Sequence, residues 1–117
     1  MIENEPIPDA ALVFRRVHPD CWTKEGRPQS SVMADVEMSV DWEKYSTIEE
    51  AARRGSAAHG AVALSVALMR SAEFNQQVNH DPLDDNPAHS LVLGQKPPSL
   101  ARKIAKHAAA LKLYRPA

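Results

Sequence analysis

Gly60-Ala61-Val62-Ala63-Leu64-Ser65-Val66-Ala67-Leu68-Met69 (GAVALSVALM) is the stretch on which the fold turns. Its Ala and Leu content suits a helix, whereas Val62, Leu64, Val66 and Leu68 alternate as in a strand. Periodicity alone does not separate the two for so short an apolar run. The reading taken here is a strand over about 61–66 and a helix over about 67–74, the alternative being one continuous helix. A strand at this place makes the chain α+β.

Outward from that stretch the same signals recur. Ala11-Leu12-Val13-Phe14-Arg15-Arg16-Val17 is rich in strand formers and is closed by His18-Pro19-Asp20. Cys21–Gln29 contains Gly26 and Pro28 and reads as a loop. From Ser31 to about Val40 a second extended region is expected, in which Val36, Met38 and Val40 alternate with Glu37 and Ser39. Ser46-Thr47-Ile48-Glu49 has the form of a capping box with Ser46 at the N-cap, and the helix it starts should end before Gly55. Towards the other end, Gln76–His80 reads as a short strand, Asp81–Pro87 as a loop and Ala88–Gly94 as a buried strand. Pro97 and Pro98 stop that strand, and Ser99 is placed to cap a final helix. On it Leu100, Ile104, Ala108 and Leu111 share one face, with Arg102, Lys103 and Lys106 off it.

The expected architecture is a flexible arm over 1–10 and a single α+β domain over 11–117. Its sheet should be mixed, mostly antiparallel, with about four to five strands covered by about two to three helices. A length of 117 residues fits one domain, and 44% hydrophobic and 25% charged residues are ordinary for a globular chain. Few aromatics leave a core of Val, Leu, Ile and Ala, whose small side chains bury little area each and leave a homodimer open. Cys21 is the only cysteine, so no intrachain disulfide forms, in keeping with a reducing compartment. The start carries Glu3 and Glu5 where a signal peptide has positive charge, and the longest nearly apolar run, 61–69, is short of a membrane span. The expectation is a cytoplasmic protein with no membrane attachment.

Charge is unevenly placed. Six of the fourteen Lys and Arg lie in the last 22 residues, from Lys96 on, and all fifteen Asp and Glu precede them. A basic helix on an acidic body suits docking to an acidic surface, on a partner or on the body itself. A pI near 6.5 and the lack of stacking aromatics beside the helix, Tyr114 apart, argue against nucleic acid.

Four candidate sites follow from residue type and spacing. Asp84, Asp85, Asn86 and His89 form the densest polar cluster, able to converge on a ligand or cation, although Asp and Asn before Pro are also ordinary turn formers. Arg27 with Ser30 and Ser31 could hold a phosphate or carboxylate, without the glycine pattern of a phosphate loop. His18 and Cys21 have short metal-ligand spacing, but four ligands are wanted and no second cysteine exists, so neither a metal nor a cofactor is assigned. Cys21 as a nucleophile would need His80 or His89 as its base. A packed thiol is the commoner role for a lone cysteine, and no catalytic residue is assigned.

Taken together, Phe14-Arg15-Arg16-Val17-His18-Pro19, Gly26-Arg27-Pro28-Gln29-Ser30-Ser31, Met38-Ser39-Val40-Asp41, Asp81-Pro82-Leu83 and Asn86-Pro87-Ala88-His89-Ser90-Leu91-Val92-Leu93-Gly94 resemble a group of small uncharacterised bacterial proteins. The resemblance spans about residues 11–110 and implies a bacterial cytosolic origin. A second likeness is to ADP-ribosyltransferases, with Arg15 or Arg16 and Ser30-Ser31 at the matching positions. That class carries a catalytic Glu on a late strand; here Glu73 falls in an expected helix and no acid follows Asp85.

Two functions compete on these readings. The first is a non-enzymatic interaction module, an adaptor or inhibitor-like subunit, docking through Arg102, Lys103 and Lys106 on an acidic protein, for instance one encoded nearby. The second is a small enzyme or nucleotide-binding domain using Arg16, Ser30, Ser31 and His89. It requires the 27–31 and 81–90 loops to meet in one concave pocket, where a docking module has a flat or convex charged face.

Overall fold

Hairpin-compatible strands separated by short helices leave antiparallel pairing as the building rule. The computed structural model describes residues 3–116. Its six strands are β1 (Leu12–Val17), β2 (Glu37–Trp42), β3 (Gly60–Ser65), β4 (Gln77–His80), β5 (His89–Leu93) and β6 (Leu113–Tyr114). They form one sheet in the order β4-β5-β2-β1-β3-β6, with every neighbouring pair antiparallel. Three helices accompany them: α1 (Ile48–Arg53), α2 (Val66–Arg70) and α3 (Pro98–Leu111). The chain is an α+β domain, with one strand more than expected, because β6, two residues long, adds to the edge of β3 after α3.

The ambiguous stretch is strand, then helix. β3 ends at Ser65, whose hydroxyl accepts the Leu68 N–H at 3.2 Å and so caps α2. Gly60 to Leu64 are all buried, because β3 lies between β1 and β6 with α3 on one face and α1 on the other. A strand covered on both faces reads as a continuous apolar run, which is why alternation alone was ambiguous there.

The two faces differ in kind. Val13, Val17, Met38, Val40, Trp42, Val62, Leu64, Val78 and Val92 point to one of them and pack with Ala101, Ile104, Ala105 and Ala108 of α3. Val32 and Met33, in a 3-10 turn over Ser30–Met33, extend this core. Phe14, Ala61 and Ala63 point the other way, under Ile48, Ala51 and Ala52 of α1. Six residues long, α1 packs on β1, β3 and β6. The β1–β2–β5 part of that face carries Arg16, Ser39, Asp41 and His89 instead.

Several local expectations are corrected. The second extended region is not a strand from Ser31: Ser30–Met33 is a 3-10 turn, and β2 begins at Glu37. The apolar pair Val32-Met33 serves α3 rather than the sheet. The capping box lies one residue later, Thr47 with Glu50, since Ser46 donates its hydroxyl to the Thr47 carbonyl at 2.8 Å. Pro97, not Ser99, is the N-cap of α3, with Pro98 in the first position, where a missing N–H costs nothing. The buried stripe of α3 is Ala101, Ile104, Ala105 and Ala108, and Leu111 is exposed. Small residues let the helix lie close to the sheet, and that governs the stripe more than side-chain size.

The arm expected over 1–10 is tied to the body at Glu5, Ile7 and Asp9. Ile7 is buried, and Arg70 donates to its carbonyl at 2.7 Å. The Glu5 N–H donates to His80 Nδ1 at 3.0 Å, and the Glu5 carboxylate takes hydrogen bonds from Lys44 and Tyr45. Residues 1 and 2 lie outside the described residues.

Candidate functional site

β1 and β2 are joined only at Val13↔Trp42 and Phe14↔Asp41, and then part. Arg15 takes the place of the missing ladder. Its Nη1 donates to the Ser39 carbonyl at 2.9 Å, its Nε to the Val32 carbonyl at 3.0 Å and its Nη2 to Asp35 at 3.1 Å. A backbone acceptor left by the parted strands is thereby satisfied, and the 3-10 turn is pinned beside the sheet. Burial lowers the Arg15 pKa, and Asp35 opposes the shift.

The parting opens a cleft of about 410 Å³ on the α1 side of the sheet, over the part that α1 leaves uncovered. Phe14, Arg15, Arg16, Ser39, Val40 and Asp41 contribute from β1 and β2. Arg54, just past α1, together with Leu83, Asp85, Asn86 and His89, completes the lining. The volume falls in the range of small-ligand sites.

At its floor lies a buried carboxylate. Asp41 Oδ2 accepts from Arg54 Nη1 at 2.7 Å, and Oδ1 accepts from Asn86 Nδ2 at 2.8 Å. Arg54 also donates to Ser46 Oγ at 3.0 Å, and Asn86 Oδ1 accepts the Ala88 N–H at 3.2 Å. Every member of this network is bonded, the condition under which a buried charge is tolerated. It ties the end of α1 and the 83–86 turn to β2, and so sets the walls of the cleft.

The three arginines are not equivalent. Arg15 is matched by Asp35 and Arg54 by Asp41. Arg16 donates Nε to the Ala51 carbonyl at 2.9 Å, and its terminal nitrogens bond to nothing among the described residues. It is the cation left for a ligand.

Beside it stands a polar relay. His89 Nδ1 lies 2.9 Å from the Asp81 backbone carbonyl and 3.2 Å from the Asp81 carboxylate. Both partners only accept, so Nδ1 carries the proton. In the neutral ring Nε2 is then an acceptor, and it faces Ser39 Oγ at 3.3 Å. The register explains the meeting: Asp41 pairs with His89 and Ser39 with Leu91, so Ser39 and His89 are diagonal neighbours on one face.

The sequence candidates separate into groups. Asp85, Asn86 and His89 line the cleft, while Asp84 is exposed on the turn and is not part of the lining. Arg27 and Ser30 line a different groove of about 380 Å³, with Thr23, Glu25, Pro28, Arg102, Ala105 and Lys106. That groove lies on the α3 side of the sheet, so the 27–31 and 81–90 loops do not share a pocket. Ser31 is exposed and lines neither. Lys103 sits 3.8 Å from Glu73 and outside the groove. His80 is a packing residue: it stacks on Tyr45, and its Nε2 meets the Pro87 carbonyl at 2.8 Å. His80 is engaged through both ring nitrogens and His89 faces Asp81 and Ser39, so neither is turned to Cys21 as a base. His18 packs edge-on against His59, and among the described residues no three metal-binding side chains converge.

Ser39, Asp41, Arg54 and Asp81 were not singled out from the sequence. Ser39 and Asp41 did carry a signal, since they alternate with Met38 and Val40 on β2 and so fall on the face away from the core. No protein-family model, curated protein or solved structure matches the chain.

Proposed function

We propose that the protein binds a small anionic ligand, a carboxylate or phosphate, in the cleft between β1 and β2. The observation that carries this reading is Arg16, a guanidinium lining a concave site with no carboxylate partner of its own. The Asp41–Arg54–Asn86 network supports it by fixing the walls in advance, which reduces the ordering cost of binding. The reading follows the small-ligand alternative drawn from the sequence, with Arg16 and His89 retained and Ser30 and Ser31 released from it.

Titration calorimetry with inorganic phosphate and with small dicarboxylates tests it. A hydrogen bond between charged groups is worth about 1.5–3 kcal/mol, so Arg16→Ala should weaken binding about 10- to 100-fold. Its melting temperature should stay near that of the wild-type protein. Absence of saturable binding by both ligand classes, in folded protein, defeats the reading.

A second reading is favoured by the other groove, where Arg27, Arg102 and Lys106 converge. Such a basic groove suits an acidic segment of a partner protein, whose identity would give the chain its role as an adaptor or inhibitor-like subunit. Reversing Arg102, Lys103 and Lys106 to Glu should abolish a salt-sensitive complex while leaving the fold and anion binding intact. Unchanged affinity in that triple variant removes the docking role.

A further inference from the structure

We infer that the cleft is hydrolytic, with Ser39 as its nucleophile and His89 as its general base, acting on a carboxylic ester that carries an anionic group. The inference rests on the anion-binding reading of the same cleft. Its own support is the arrangement Asp81–His89–Ser39: an imidazole held through Nδ1 by acceptors, with its free nitrogen 3.3 Å from a serine hydroxyl. That is the order of groups by which a hydroxyl is activated for acyl transfer, and it is recognised by geometry rather than by position in a sequence. Ser39 lies on a strand, so rigid sheet sets its position, and Arg15 holds its own carbonyl. Serine has no packing role here, because Ser39 is exposed and faces the cleft.

The step balances with water as the only co-reactant. Ser39 Oγ bonds to the ester carbonyl carbon as its proton passes to His89 Nε2. The tetrahedral oxyanion collapses, the carbon–oxygen bond to the alcohol breaks, and the alcohol leaves with the proton from His89. Water then attacks the acyl-serine, gives a proton to His89 and releases the acid, and Ser39 regains its proton. The positive charge of Arg16 along the cleft favours both the substrate anion and the developing oxyanion.

The test uses the whole protein and diisopropyl fluorophosphate, which forms a serine–phosphorus bond and expels fluoride. One adduct is expected, mapped by fragment mass spectrometry to Ser39 rather than Ser30 or Ser31. Ser39→Ala should give none and His89→Gln should react about 100-fold more slowly or worse. The wild-type protein should also release one equivalent of nitrophenolate in a burst from 4-nitrophenyl hydrogen glutarate. Protein that binds phosphate but forms no Ser39 adduct overturns the nucleophile and leaves the binding reading standing. An adduct at Ser39 without phosphate binding does the reverse. An undiminished reaction in His89→Gln overturns the base. Should that variant fail to fold, the adduct map and Ser39→Ala decide.

Discussion

The two faces of the sheet are made by the same strands and have opposite fates. Under α3, residues from five strands and a 14-residue helix close into a core that excludes water. On the other side a six-residue helix closes only over Phe14, Ala61 and Ala63, and the next strands show Arg16, Ser39, Asp41 and His89. The difference lies in the length of cover. A sheet needs one apolar face to be stable, so the second face is free to carry polar chemistry wherever no helix lies over it. Here that freedom falls where β1 and β2 part, and Arg15 keeps the parted edge from exposing an unpaired carbonyl.

Adjacent residues on β2 put the contrast to its hardest test. Met38 is fully buried on the α3 side, and Ser39 faces the cleft. Met38→Ala should cost about 2–5 kcal/mol in chemical denaturation, through lost transfer energy and a cavity. Ser39→Ala should cost no more than about 0.5 kcal/mol, as for a surface change. Comparable losses at the two positions would mean that the cleft face is structural and that its polar residues are there for stability.

Adding an atom to the covered face sharpens the same point. Gly60 lies at the start of β3, and a Cβ there would stand 2.5 Å from both the Trp22 ring and the Tyr114 carbonyl. Gly60→Ala must push the ring or β6 aside, so about 1–3 kcal/mol of destabilisation is expected from urea unfolding. A tolerated alanine would show that β6 and Trp22 are held more loosely than the α3 core.

These differences set what could be read in advance. The α+β class, most of the strands and the basic side of α3 were legible because period-two and period-3.6 patterns are local. Three things were not. Val32-Met33 belongs to α3's core, so its apolar character predicts burial but not strand. α3 also buries Ala101 and Ala105, so the expected face was right at Ile104 and Ala108 but missed those alanines and wrongly took in the exposed Leu111. The cleft depends on register: Ser39 meets His89, and Asp41 meets both Arg54 and Asn86, across pairings that no local pattern encodes. His89 and Arg16 were named for their chemistry; their partners became visible only once the strands were placed side by side.

A last prediction concerns the two buried charges among the described residues, Asp41 and Lys96. Asp41, at the cleft, has a cation and an amide on its oxygens. Lys96, counted from the sequence with the basic tail, instead turns inward and donates to the carbonyls of Val36, Val92 and Gly94 at 3.3, 3.0 and 3.0 Å. Carbonyl dipoles do not offset the loss of water, and burial lowers the Lys96 pKa from 10.5 to about 8. A lysine with a depressed pKa binds fewer protons folded than unfolded across that interval, so stability should rise with pH from about 8 towards about 10. Urea midpoints measured over this interval should increase in the wild-type protein and stay flatter in Lys96→Met. A fall in the wild type, or an equal slope in the variant, would mean that the three carbonyls hold the ammonium well enough to cancel its burial. Charge would then be as well accommodated on the covered side as it is at the cleft.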